Sequence, residues 1–181
     1  MNKAVFLDRD GVINVDHAYV YKIEDFEFVA GVFEACRHFV QLGYKLIVVT
    51  NQSGIGRGYY SEVDFAHLTK WMKAQFSAQE APLSEVYFCP HHPTNALAEY
   101  LQDCDCRKPA PGMLLQGISQ FNIDAAQSIM IGDKLSDLAA GKAAGVARCV
   151  YIKDLSAATA QELAEFEIWP SLVSGIEKVT T

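Results

Sequence analysis

The stretch Ala4-Val5-Phe6-Leu7-Asp8-Arg9-Asp10-Gly11 constrains the fold of this chain more than any other. Its four consecutive apolar residues lack polar alternation, so they read as a strand buried on both faces, as in a parallel sheet. The strand ends on two carboxylates spaced i, i+2, followed by a glycine. Acids at the end of a buried strand are costly unless a positive charge meets them. A magnesium ion, a phosphoryl group held between the acids and a lysine, or both, would supply that charge. An acidic, solvated turn has the same composition, so the rest of the chain must decide between the two readings.

The chain has 181 residues, enough for one substantial hydrophobic core but cramped for two full domains. A net charge of −7 argues against a general nucleic-acid or anionic-membrane binder, which needs a basic surface. A local positive pocket for an anionic small molecule is compatible with it. No apolar run approaches a membrane span, and Met1-Asn2-Lys3 leads into the first strand without a signal-peptide pattern. The expectation is therefore a cytoplasmic, monomeric protein whose five cysteines stay reduced and serve metal ligation more readily than disulfides.

After the acidic turn, residues 12–27 lack periodicity and read as a loop over the strand end. A helix is expected from Gly31 to about Leu42, stopped by Gly43. A second buried strand, Lys45 to Thr50, runs into Asn51-Gln52-Ser53-Gly54-Ile55-Gly56-Arg57-Gly58, a glycine-rich loop that exposes backbone N–H groups. Ser61 and Asp64 form a capping box for a helix to about Ala78. Glu85 to Phe88 is a third strand. Beyond it stand a C-x-H pair, Cys89 and His91, and a C-x-C pair, Cys104 and Cys106. Three thiolates and an imidazole match a closed, four-coordinate structural zinc site. Free buried cysteines belong in apolar runs, as with Cys36 and Cys149, whereas these four lie among Pro90, Pro93, Asp103 and Asp105. His92 reads as a bystander. A long aperiodic loop inside a compact domain also needs an organiser, which a metal provides.

Arg107 and Lys108 follow directly, fixed by Pro109 and Pro111 at the entry of a helix to Phe121. Facing the acidic turn they would form a phosphate clamp. Ser128 to Gly132 is a fourth buried strand ending in Asp133-Lys134. A small-residue helix from Ala139 to Gly145 and a fifth strand from Val146 to Ile152 follow. In the segment 153–181, 156–166 has helical composition, 167–169 can add an edge strand and 171–178 a terminal helix, with no readable function. Alternating strands and helices predict an α/β, doubly wound parallel sheet of Rossmann-like form, with ligands bound along the strand C-termini. Asp8, Asp10, Thr50, Lys108 and Asp133 all fall at such junctions, and this agreement displaces the solvated-turn reading.

At this point the sequence resembles the haloacid-dehalogenase-like phosphatases. Asp8-Arg9-Asp10-Gly11, the Thr50 strand end, Lys108 and Gly132-Asp133-Lys134-Leu135-Ser136-Asp137 occur in that family's order. The resemblance covers residues 4–152. It implies a capless single domain whose substrate is a small phosphorylated sugar, histidinol phosphate being the alternative. It further implies that Asp8 is the nucleophile, that Asp10 is the acid and base, and that Thr50 and Lys108 stabilise the phosphoryl oxygens. Asp8, the Asp10 backbone carbonyl and Asp133 would hold Mg2+. Asp16, His17, Ala18, Tyr19, Asn51, Gln52, Ser53, Arg107 and Lys134 would contact substrate, with Thr50 and Lys108. Zinc on Cys89, His91, Cys104 and Cys106 would shape the Arg107–Lys108 loop, and Asp137 would stand behind the metal ligands. A non-enzymatic phosphate or metal binder has no need of a nucleophile.

Overall fold

A computed structural model describes residues 1–180. Six strands, β1 (Lys3–Leu7), β2 (Tyr44–Asn51), β3 (Leu83–Cys89), β4 (Ile129–Gly132), β5 (Arg148–Ile152) and β6 (Glu167–Trp169), form one sheet in the order β3-β2-β1-β4-β5-β6. Every pairing is parallel. The expected doubly wound α/β architecture is therefore present, and the chain order reverses between β1 and β4. At such a reversal the crossovers leave on opposite faces and open a crevice beyond the strand ends.

The helices are α1 (Val32–Gln41), α2 (Ser53–Gly56), α3 (Glu62–Ala78), α4 (Gly112–Phe121), α5 (Leu135–Ala143), α6 (Ala160–Glu165) and α7 (Gly175–Lys178). Alternation along β1 sets the two cores. Val5 and Leu7 face one layer with Val32, Cys36 and Phe39 of α1 and Leu68, Met72 and Phe76 of α3. Ala4 and Phe6 face the other, with Met113 and Leu114 of α4 and Ala140 of α5. Leu7 pairs with both Val48 and Ile131, which brings Asp8 to the centre of the C-terminal edge.

Several expected boundaries shift for identifiable reasons. The glycine-rich loop after β2 contains the one-turn α2. Helix α5 starts at Leu135 rather than Ala139, because the Lys134 N–H donates to Asp137 Oδ2 at 3.0 Å and caps the first turn. The expected 156–166 helix splits into a 3-10 turn, Leu155–Ala157, and α6, whose start is fixed by a Thr159–Glu162 capping box. The expected terminal helix is a 3-10 turn, Leu172–Ser174, followed by the short α7.

The C-terminal segment closes the sheet, with β6 where the edge strand was expected. Trp169 is fully buried beside Leu172, Val179 and Phe39, and its Nε1–H donates to Glu167 Oε1 at 2.7 Å. Arg148 of β5 meets both oxygens of Glu167 at 2.8 and 2.6 Å. Emptying the largest buried side chain leaves a cavity that a sheet edge closes poorly. Trp169→Ala should therefore cost about 3–5 kcal/mol in a denaturant titration, far more than an edge strand held only by hydrogen bonds would lose.

Candidate active site

Beyond the ends of β1, β2 and β4 lies a cleft of about 550 Å³. Its walls include Asp8, Asp10, Asp16, Ala18, Tyr19, Asn51, Gln52, Ser53, Arg107, Lys108 and Lys134, residues singled out from sequence, together with Tyr60 and Asp137. Two expected substrate contacts sit elsewhere. Thr50 is buried behind the cleft, its Oγ1 accepting from Gln52 Nε2 at 2.8 Å. His17 turns away from the cleft, its Nε2 lying 2.9 Å from Glu27 Oε2.

Lys108 is the buried cation the two acids required. Its Nζ donates to Asp8 Oδ1 at 2.9 Å and to the Val49 carbonyl at 2.7 Å, and pairs with Asp137 Oδ1 at 2.8 Å. Asn51 grips the same residue by its backbone, Oδ1 accepting from Lys108 N at 3.0 Å and Nδ2 donating to Lys108 O at 3.1 Å. Burial works against a charged lysine, but Asp8 and Asp137 prevail and raise its pKa. Asp137 thus both caps α5 and holds Lys108. The sequence placed Asp137 only behind the metal ligands; the cap follows from the earlier start of α5, and the hold on Lys108 from a contact across the sheet edge.

Asp8 and Asp10 are placed in opposite surroundings. Burial raises the pKa of Asp8 above the ordinary carboxylate range despite Lys108. Burial also acts on Asp10, but the charge and hydrogen bond of Arg9, then the donors Asn14 and Gln52, outweigh it and hold the pKa low. The contacts are Arg9 Nη2 and Asn14 Nδ2 to Oδ1 at 2.9 and 3.0 Å, and Gln52 Nε2 to Oδ2 at 3.0 Å. None of these three partners was assigned to Asp10 from sequence. Gly11, at φ +88°, is required here because a Cβ would collide with the Asp133 carboxylate.

Asp8, Asp133 and Asp137 each bring a carboxylate oxygen within 4.8 Å of the others. Asp133 Oδ1 is buried without a hydrogen-bond partner. Three clustered carboxylates and one orphaned oxygen fit a hard divalent cation with oxygen ligands. Burial first, then the Asp8 charge, pushes the Asp133 pKa up to about 7 from its ordinary 3.8. A raised carboxylate stabilises the fold while protonated, so this contribution is lost as pH rises from about 4 through about 7. A cation must displace that proton. The rise in melting temperature produced by added Mg2+ should therefore be larger above pH 7 than below it, measured at fixed ionic strength.

A second cluster stands at the other end of the Lys108 segment. Cys89 Sγ lies 3.5 Å from Cys104 Sγ and 2.9 Å from Cys106 Sγ, and His91 Nδ1 is 3.7 and 3.4 Å from Cys89 and Cys106. All five cysteines are free. Burial drives the Cys89 and Cys106 thiols upward, so a metal entering there would have to release protons. The four residues are a potential metal-ligand set, and Arg107 Nη1 ties it to the cleft by donating to the His91 carbonyl at 3.2 Å. The His92 ring is occupied locally, its Nδ1 accepting from the N–H groups of Thr94 and Asn95.

A parallel sheet of this order, with an Asp-x-Asp end to β1 facing a buried lysine and an acid after β4, defines a haloacid-dehalogenase-like hydrolase. The family described as HAD-hydrolase-like matches residues 105–175. Curated relatives carry the likeness further. The D-glycero-beta-D-manno-heptose-1,7-bisphosphate 7-phosphatase of Pasteurella multocida is 52% identical over 153 residues, 84% of this chain and 83% of its own. That of Escherichia coli K12 is 50% identical over 150 residues, covering 83% and 78%. A crystal structure of the D,D-heptose 1,7-bisphosphate phosphatase of B. bronchiseptica, complexed with magnesium and phosphate, aligns at TM-score 0.79 with 25% identity, covering 97% of each chain. The chain belongs to this heptose-bisphosphate phosphatase family of HAD-like hydrolases.

Proposed function

We propose that this chain hydrolyses the C7 phosphate of D-glycero-D-manno-heptose 1,7-bisphosphate, the beta anomer by the name its relatives carry. The observation that carries the reading is the Asp8–Lys108–Asp137 array at the head of a cleft also lined by Arg107 and Lys134, set beside the separately held Asp10. In this reading the reaction would belong to the supply of nucleotide-activated heptose for surface polysaccharide.

In this reading Asp8 Oδ attacks phosphorus in line with the leaving sugar oxygen and forms an aspartyl phosphate. Asp10 protonates that oxygen, then takes a proton from the water that hydrolyses the acyl phosphate. Lys108 Nζ and the Thr50 hydroxyl stabilise the equatorial oxygens. Mg2+ held by Asp8, Asp133 and the Asp10 carbonyl, with Asp137 adjacent, would cancel the repulsion between carboxylate and phosphate. Arg107 and Lys134, the latter 3.6 Å from Asp16, stand in the cleft wall where they would meet the second phosphate, with Asp16, Ala18, Tyr19, Asn51, Gln52 and Ser53 toward the sugar. His17, on Glu27, is the weakest member of that set. Zinc, which Cys89, His91, Cys104 and Cys106 would hold, would be structural, fixing the Arg107–Lys108 segment without taking part in the chemistry.

No separate cap covers the site: residues 8–31 add only the 3-10 turn Ile23–Asp25, and residues 90–111 only Ala98–Tyr100. Among the described residues no helix is long and apolar enough to cross a membrane. In the same reading the chain is a cytoplasmic monomer acting on a small phosphorylated sugar, without nucleic acid or membrane. Phosphate release from both heptose bisphosphate anomers and from histidinol phosphate tests the assignment. The beta anomer should give the largest kcat/KM, and faster release from histidinol phosphate would overturn it.

A further inference from the structure

Asp10 is reached by two arms from one loop. Arg9 Nη2, itself fully buried, donates both to Asp10 Oδ1 and to the Val20 carbonyl at 2.7 Å. The second arm runs through Gln52. Its Nε2 donates to Asp10 Oδ2 and to Thr50 Oγ1, while its Oε1 accepts from the Tyr60 hydroxyl. Tyr60 is buried, and its ring stacks on Tyr21 with centroids 5.0 Å apart and planes 6° from parallel. Gly54 leaves the space that Tyr60 occupies, since a Cβ there would enter its ring.

An amide has two orientations of nearly equal shape and opposite hydrogen-bonding character. We infer that Tyr60 is a positioning residue for the proton transfer to the leaving group, acting by locking the Gln52 amide with Nε2 toward Asp10. The tyrosine hydroxyl donates to Oε1 while the Asp10 carboxylate, an acceptor only, takes Nε2, so the two together keep the N–H groups toward Asp10 and Thr50. In the reversed orientation Oε1 would accept the proton of a protonated Asp10 and hold it away from the sugar oxygen. In the step itself, the P–O bond to the sugar breaks as the Asp10 O–H bond breaks and the new sugar O–H bond forms. Asp10 is left as the carboxylate.

This rests on the phosphatase reading of Asp10, and a leaving-group comparison separates the two. Tyr60→Phe keeps the stack on Tyr21 and removes only the hydroxyl. With heptose bisphosphate, whose alkoxide must be protonated, kcat/KM should fall about tenfold, carried by kcat with little change in KM. With p-nitrophenyl phosphate, whose leaving group departs without a proton, kcat/KM should stay within about twofold. Gln52→Leu should lower kcat/KM on heptose bisphosphate at least as far as Tyr60→Phe, and the double variant should be no worse than Gln52→Leu alone. Equal losses on both substrates, no loss on either, or additive effects in the double variant would overturn the inference. Should the wild type leave heptose bisphosphate untouched, the substrate assignment fails instead. The same comparison then applies to a simple alkyl phosphate against p-nitrophenyl phosphate.

Discussion

Asp8→Asn is expected to abolish Mg2+-dependent phosphate release, by about 10⁴-fold or more, because no other group stands where phosphorus must be attacked. The fold should survive. Lys108 loses one anionic partner but keeps Asp137 at 2.8 Å and the Val49 carbonyl at 2.7 Å, so no buried cation is stranded. Repulsion among Asp8, Asp133 and Asp137 is relieved at the same time, and burial already disfavours the Asp8 charge. Metal-free melting temperature should therefore hold or rise, while the gain from added Mg2+ shrinks. Metal on the distant Cys89 cluster should be unchanged. Retained activity above about 1% of wild type would remove Asp8 as nucleophile, since loss of a covalent nucleophile costs far more than that.

What the sequence made legible was whatever lies at a strand end. Buried runs at residues 4–7, 46–49 and 129–131 showed themselves as apolar blocks, and a parallel sheet puts their C-termini on one edge. Asp8, Thr50 and Asp133 could therefore be brought together without coordinates. Cysteine spacing did the same for Cys89, His91, Cys104 and Cys106, which the fold gathers. Contacts fixed by side-chain direction were not legible. Arg9 lies between two acids and could have faced either solvent or core; it is 1% exposed. Tyr60 sits in a glycine-rich turn with no periodicity to assign it a face. In the C-terminal segment the edge strand 167–169 was legible and β6 matches it, but its one decisive side chain, Trp169, reads as an isolated aromatic. His17 shows the opposite error: a loop position between two cleft-lining neighbours, Asp16 and Ala18, does not settle where its ring points.

Cys104→Ser tests how far the second cluster supports the first. The segment from Pro90 to Pro111 contains one 3-10 turn and one isolated bridge, His92 to Leu101, so little regular structure holds it. Loss of one thiolate from a four-ligand set should empty the site of zinc in metal analysis, and with it several kcal/mol of binding-linked stability. Lys108 is not released outright, because Asn51 still clamps its backbone and Asp8 and Asp137 its ammonium. Arg107 has the weaker tether, a single bond to the His91 carbonyl. Turnover should thus fall about 10–100-fold, less than for Asp8→Asn, and with KM rising as Arg107 loses its position. Added Mg2+ should not restore it, and limited proteolysis should newly cut within residues 92–103. Reduced wild-type protein without bound zinc would refute the assignment, as would a variant that keeps its zinc. An equal loss of kcat with KM unchanged would mean that the cluster acts on Lys108 rather than on Arg107.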